Sequence, residues 1–100
     1  MKTKLRVDKS KLDKVSHILK SVAHPVRIGI IDLLDQNEEM AVTDIYKALG
    51  EEQSAVSHHL IKMKDKDLLS CRRQGKQIFY KLKEKQIVGI IDCINGCKIK

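Results

Sequence analysis

The spacing of apolar residues changes character near residue 67, and that change restricts the fold of this chain more than any other feature. Before it, from Lys9 to about Lys66, apolar positions recur at helical spacing. After it, Leu68 to Leu82 forms two short runs around a glycine, and from Glu84 the helical spacing returns. A domain of helices interrupted by one hairpin satisfies that pattern; a sandwich or a barrel does not.

The breaks between segments sharpen the picture. Leu12, Val15, Ile18, Leu19 and Val22 mark a first helix, with Ser10 as a candidate N-cap. His24-Pro25 interrupts the chain, and proline is tolerated in the first helical turn, so Pro25 opens a second helix. Val26, Ile28, Ile30, Ile31, Leu33 and Leu34 make that helix apolar over much of its surface, as expected of the most buried element. Asp35–Glu39 is a polar turn, and Met40-Ala41-Val42 is short and apolar enough for one strand. Thr43 can cap a third helix that Gly50 ends, and a fourth, from Ser54 to about Lys66, carries Val56, Leu60 and Met63. Leu68–Arg73 and Gln77–Leu82 read as strands flanking Gln74-Gly75-Lys76, and a last helix from Glu84 holds Ile87, Val88, Ile90, Ile91 and Ile94. The fold class expected is mainly α with a small β-hairpin, in the order α-α-α-α-β-β-α. One domain spans residues 9–100, and residues 1–8 form a loose arm.

Composition agrees. One hundred residues support a single core, and with 3% aromatics and no Trp that core must be aliphatic. An apolar content of 42% excludes wholesale disorder. Lys plus Arg number 20 against 13 Asp plus Glu, a net charge of +7 that makes a polyanion a candidate partner. No apolar run approaches the ~18 residues that cross a bilayer, and no signal-peptide core follows the basic N-terminus, so a cytoplasmic location without membrane partners is expected. Three cysteines, clustered late, do not make a secreted disulfide framework and are expected as free thiols.

Two helices joined by a short glycine-containing turn make a helix-turn-helix, and a hairpin directly after it is a wing. The residues then become specific. Leu19-Lys20-Ser21-Val22-Ala23-His24-Pro25-Val26-Arg27, with Ile30-Ile31 and Leu33-Leu34 beyond, resembles the opening of the ArsR/SmtB family of bacterial repressors. Gln53-Ser54-Ala55-Val56-Ser57-His58-His59-Leu60 resembles that family's recognition helix, and Leu68-Leu69, Arg72-Arg73-Gln74-Gly75-Lys76 and Phe79-Tyr80 resemble its wing. The resemblance covers residues 15 to 83 and implies a winged helix-turn-helix. The implied function is that of a dimeric, sequence-specific repressor binding a near-palindromic operator, with helix 54–66 in the major groove and the 70–82 wing beside it.

The residue types suit that role. Gln53, Ser54, Ala55, Ser57 and His58 are small or hydrogen-bonding and lie off the Val56–Leu60–Met63 stripe. Gln can pair with adenine, Ser with several base edges, and Ala can meet a thymine methyl. Lys62 suits phosphate. Arg72, Arg73, Gln74 and Lys76 cluster at the wing tip, where cations contact the backbone or enter the minor groove. The plainer alternative for both groups is a solvated polar face. His59, next to Leu60, reads as a partly buried, hydrogen-bonded histidine, His24 as a cap or turn residue before Pro25, and His17 as a surface residue. Dimerisation is assigned to the first and last helices through Leu12, Val15, Leu19, Ile87, Ile90, Ile91 and Ile94, which need burial.

Two metal sites of the resembled family lack their ligands here. Met40-Ala41-Val42-Thr43-Asp44 holds no thiol where one site needs Cys-x-Cys, and the last helix offers Asp92 but no histidine. No cofactor is expected to be required. Cys93 and Cys97, spaced i, i+4, could hold a thiophilic metal or act as a redox pair. Against that stands the simpler expectation that Cys93 is a small buried residue and Cys97 a tail thiol. An enzyme is not indicated, because no phosphate loop, HExxH or nucleophile elbow is present. A winged-helix module that binds protein or RNA is the remaining alternative, separable by its weaker salt dependence.

Overall fold

The computed structural model describes residue 3 and residues 6–96, apart from the side chains of residues 90, 94 and 95. Its elements are α1 (Lys9–Val22), α2 (Pro25–Gln36), β1 (Met40–Ala41), α3 (Val42–Leu49), α4 (Gln53–Asp65), β2 (Leu69–Gln74), β3 (Gln77–Leu82), a 3₁₀ turn (Lys85–Ile87) and α5 (Val88–Gly96). The expected winged helix-turn-helix forms, with one strand beyond the expected order. β1 pairs with β3 at Met40↔Tyr80 and Ala41↔Phe79, so the sheet has three antiparallel strands in the order β1-β3-β2. The candidate strand at Met40-Ala41-Val42 therefore forms over Met40–Ala41, although the expected order left it out; the partner that pairs with it lies about forty residues further on.

Local chemistry explains most boundaries. His24 is the N-cap of α2, its Nδ1 accepting the Val26 N–H at 3.1 Å, and Pro25 occupies the first turn. Gly50 closes α3 in the left-handed region at φ 68°, where a residue with a Cβ would be strained. Gly75 turns the hairpin at φ 62° as the first of two loop residues. Three expectations about helix starts need correction. α1 begins at Lys9 after Asp8, so Ser10 lies inside it; α3 begins at Val42 after Ala41, so Thr43 is not its cap. In both cases no side chain caps the helix. The last helix is preceded by a tight 3₁₀ turn, with Glu84 accepting the Gln86 N–H at 3.3 Å.

The core is aliphatic and centred on α2. Ile30, Ile31, Ile45, Val56, Leu60, Met63, Leu68, Leu69 and Tyr80 are buried together, each large aliphatic side chain adding about 1.5–3 kcal/mol by leaving water. α3 approaches α2 closely at Gly29, where a Cβ would lie 2.7 Å from Leu49 Cδ2. Ile87 and Ile91 also belong to this core, at 2% and 5% exposure. That corrects their assignment to a dimer surface: α5 folds back on α2, and these two side chains have no surface left to give a partner. Ile90 and Ile94 lie outside the described side chains. α1 behaves differently. Only Ser21 and Val22 are buried on it, while Leu12, Val15 and Leu19 stand 41%, 49% and 49% exposed on one face.

Candidate nucleic-acid interface

α4 is amphipathic in the sense a groove-binding helix requires. Val56, Leu60 and Met63, at i, i+4 and i+7, are fully buried against α2, α3 and the sheet. That anchoring turns the opposite face outward: Gln53, Ser54, Ala55, His58 and Lys62 are exposed, along with Ile61. Ser57 was expected beside them but is half-buried, because its position flanks the core stripe. The helix starts at Gln53 after Glu52, with no side-chain cap on its first turn.

The wing does not present all its cations alike. In β2, Ser70, Arg72 and Gln74 share one face of the sheet and Leu69, Cys71 and Arg73 the other. Arg72 is engaged within the protein. Its Nε and Nη2 donate to the two carboxylate oxygens of Glu39 at 2.9 and 2.6 Å, and its Nη1 donates to Gln74 Oε1 at 2.7 Å. The guanidinium also lies over the ring of Phe79, 4.5 Å from the centroid. The Arg72 hydrogen bond holds the Glu39 carboxyl below its ordinary pKa, with burial opposing and the charges of Arg72 and Lys81 assisting. Arg73 and Lys76 are exposed and make no salt bridge among the described residues. The structure thus separates Arg72 and Gln74, tied to the sheet, from Arg73 and Lys76, which point a free positive charge outward. A two-residue strand carries the partner, Glu39, to Arg72 from 33 residues away, and no local signal marks that pairing.

The three histidines near α4 fall as expected. His59 is half-buried and hydrogen-bonded: its Nδ1 accepts from Arg27 Nε at 3.0 Å, and the His24 ring lies 4.3 Å away between centroids. His58 is exposed on the outer face. Tyr80 packs into the core, and Phe79 lies half-buried beneath Arg72. Cys93 is exposed on α5 and not the buried apolar residue that was expected, while Cys97 lies outside the described residues. No group of three or more potential metal ligands occurs among the described residues, and no helix among them is long and apolar enough to cross a membrane.

An exposed, core-anchored second helix of a helix-turn-helix with a basic hairpin beside it defines a winged-helix DNA-binding protein. Comparison with known proteins agrees. The family described as "Bacterial regulatory protein, arsR family" matches residues 24–70. The transcriptional repressor PagR of Bacillus anthracis is 36% identical over 90 residues, which are 90% of each chain. Its crystal structure superposes with a TM-score of 0.75 over 88% of this chain and 100% of that one. A homodimeric winged helix-turn-helix DNA-binding domain from Mycobacterium bovis, a possible ArsR-family regulator, is 27% identical with a TM-score of 0.71 over 95% of this chain and 87% of that one. The chain belongs to the ArsR family of bacterial regulatory proteins and is a DNA-binding transcriptional regulator.

Proposed function

We propose that this regulator is a cytoplasmic, dimeric repressor that binds a near-palindromic operator without a cofactor. Two copies pair through the exposed Leu12–Val15–Leu19 face of α1, supported by the homodimeric assembly of the Mycobacterium bovis domain. Each copy lays α4 in a major groove, the two helices reading successive turns about 34 Å apart. Gln53, Ser54, Ala55 and His58 meet base edges, Lys62 meets phosphate, and Arg73 and Lys76 of the wing meet the backbone or the adjacent minor groove.

The observation that carries this is the outward face of α4: polar, exposed side chains on a helix whose opposite stripe is wholly buried. Many surface helices share that amphipathic pattern; what singles out α4 is its place as the second helix of the helix-turn-helix, with the exposed Arg73 and Lys76 of the wing following it. The experiment is titration of the protein against duplexes enriched from a randomised pool, at several salt concentrations. A repressor that neutralises several phosphates loses affinity steeply, with log K falling in proportion to log salt. A shallow slope, or no enrichment of any duplex, would show that the face serves a protein or RNA partner instead.

A further inference from the structure

Arg27 stands where three helices meet. It lies in the first turns of α2; its Nη1 donates to the Ser21 carbonyl in the last turn of α1 at 2.8 Å, and its Nε donates to His59 Nδ1 on α4 at 3.0 Å. Both Arg27 and His59 are half-buried. The His24 imidazole, which caps α2 through its own Nδ1, lies against the His59 ring at 4.3 Å between centroids and 43° between planes. One side chain therefore ties the end of α1, the start of α2 and the middle of α4, next in sequence to the exposed His58. A guanidinium only donates hydrogen bonds, so His59 Nδ1 must accept and the neutral ring carries its proton on Nε2.

We infer that Arg27 and His59 are positioning residues for DNA binding, whose hydrogen bond sets the pose of α4 against α1 and holds only while His59 is neutral. This rests on α4 being the helix that enters the groove. Protonation would place an N–H on Nδ1 directly against Arg27 Nε–H, donor facing donor, and a second cation beside the guanidinium. The groups that face His59 are His24 before α2, Arg27 on α2, His58 on α4 and Glu51 in the turn. Only one of the four is an anion. Burial above all, then His24, Arg27 and His58, push the His59 pKa below its ordinary value, with Glu51 opposing. A base whose native pKa is lowered is most favourable above the ordinary histidine range, and its contribution is lost as pH falls through that range and below. In a dimer the consequence is geometric. Two α4 helices must meet grooves at a fixed separation, so a tilt of α4 relative to α1 degrades contacts at both half-sites together.

The test compares wild type with His59→Asn, whose Oδ1 can accept from Arg27 and does not titrate, and His59→Leu, which offers no acceptor. Each is titrated against the best duplex from the randomised pool, the same duplex with its half-sites one base pair further apart, and a scrambled duplex. Measurements are made at about pH 8 and at the lowest pH at which the protein still melts cooperatively, because the lowered pKa of His59 calls for acid beyond the ordinary histidine range. Light scattering and thermal melting accompany them. The wild type is expected to lose about tenfold of its preference for operator over scrambled duplex on acidification, the size of one hydrogen bond to a charged group. The Asn variant should match wild type at the higher pH and keep its preference at the lower. The Leu variant should remain dimeric, bind the operator about tenfold more weakly at both pH values and discriminate less between the two spacings. Identical pH profiles for wild type and the Asn variant would overturn the inference, and they decide it even if the Leu variant does not fold. A folded Leu variant with full affinity and spacing preference would overturn it too. A wild type that enriches no duplex overturns the role of α4 and this inference with it, whereas wild-type binding with either result above overturns this inference alone.

Discussion

α4 and the wing are both offered to the same polyanion, yet they are built in opposite ways. α4 is held from beneath: Val56, Leu60 and Met63 bind it to the core, and its outer side chains are left unencumbered. The wing is held from its own surface, with Arg72 clamped by Glu39, bonded to Gln74 and stacked on Phe79. A helix can separate anchoring from presentation because its faces are distinct. A two-stranded hairpin has little core beneath its tip and must use some of its polar side chains as struts. Counting cations therefore overstates what a wing presents to DNA.

The largest expected effect tests the anchoring half of that contrast. Leu60→Ala should destabilise the domain by about 2–5 kcal/mol, read as a lowered melting temperature, because a fully buried leucine leaves a cavity under α4. A loss under 1 kcal/mol would mean that α4 is not held by its stripe. Next, His58→Ala should leave the melting temperature within the range of ordinary surface changes while costing about 1–3 kcal/mol on the operator and little on scrambled duplex. Equal losses on both duplexes would move His58 to phosphate positioning.

The wing supplies the finer tests. Arg73→Ala should flatten the salt slope of operator binding by about one unit, whereas Arg72→Ala should leave the slope nearly unchanged. If the two substitutions flatten it equally, the Glu39 clamp opens on DNA and the contrast fails. Glu39→Gln sharpens the point: with the carboxylate neutralised, Arg72 becomes available and the slope should steepen by up to about one unit. Acid acts in the same direction. Glu39 has a lowered native pKa, so its stabilisation is complete above the ordinary carboxylate range and is lost as pH falls through the lowered value. The smallest effect is expected from Ser57→Ala, a half-buried side chain at the edge of the stripe, whose change in operator affinity should be well below that of His58→Ala.

Much of this was legible beforehand, and the legible part has a common cause. Helical and strand periodicities are local, so the four helices before the hairpin, the hairpin and the buried stripe of α4 could be placed from spacing alone. Gly50 and Gly75 punctuate the chain because each sits where only a positive φ closes the turn. His59 as a bonded histidine followed from its neighbours, and of the two roles open to His24, cap or turn residue, the structure takes the cap. Some errors were local, such as Ser10 and Thr43 offered as caps, but the two that bear on function were long-range. Ile87 and Ile91 looked like interface residues because their helix is apolar, but whether an apolar side chain faces its own core or a second subunit depends on how α5 docks against α2. Arg72 looked like a free cation because Glu39 is remote in sequence.

By itself the sequence determined the order of the five helices and the hairpin, the turns at Gly50 and Gly75, and hence a basic, core-anchored helix-turn-helix with a wing. Those features rest on interactions within a few residues of each other. The tertiary structure alone decided that the short strand after the polar turn pairs with β3, and that Arg72 is occupied while Arg73 makes no salt bridge among the described residues. It also decided that α5 fills the core while α1 stays uncovered, and that Arg27 joins three helices through His59. Each of those depends on groups brought together across tens of residues, and their pairing has no local periodicity to reveal it.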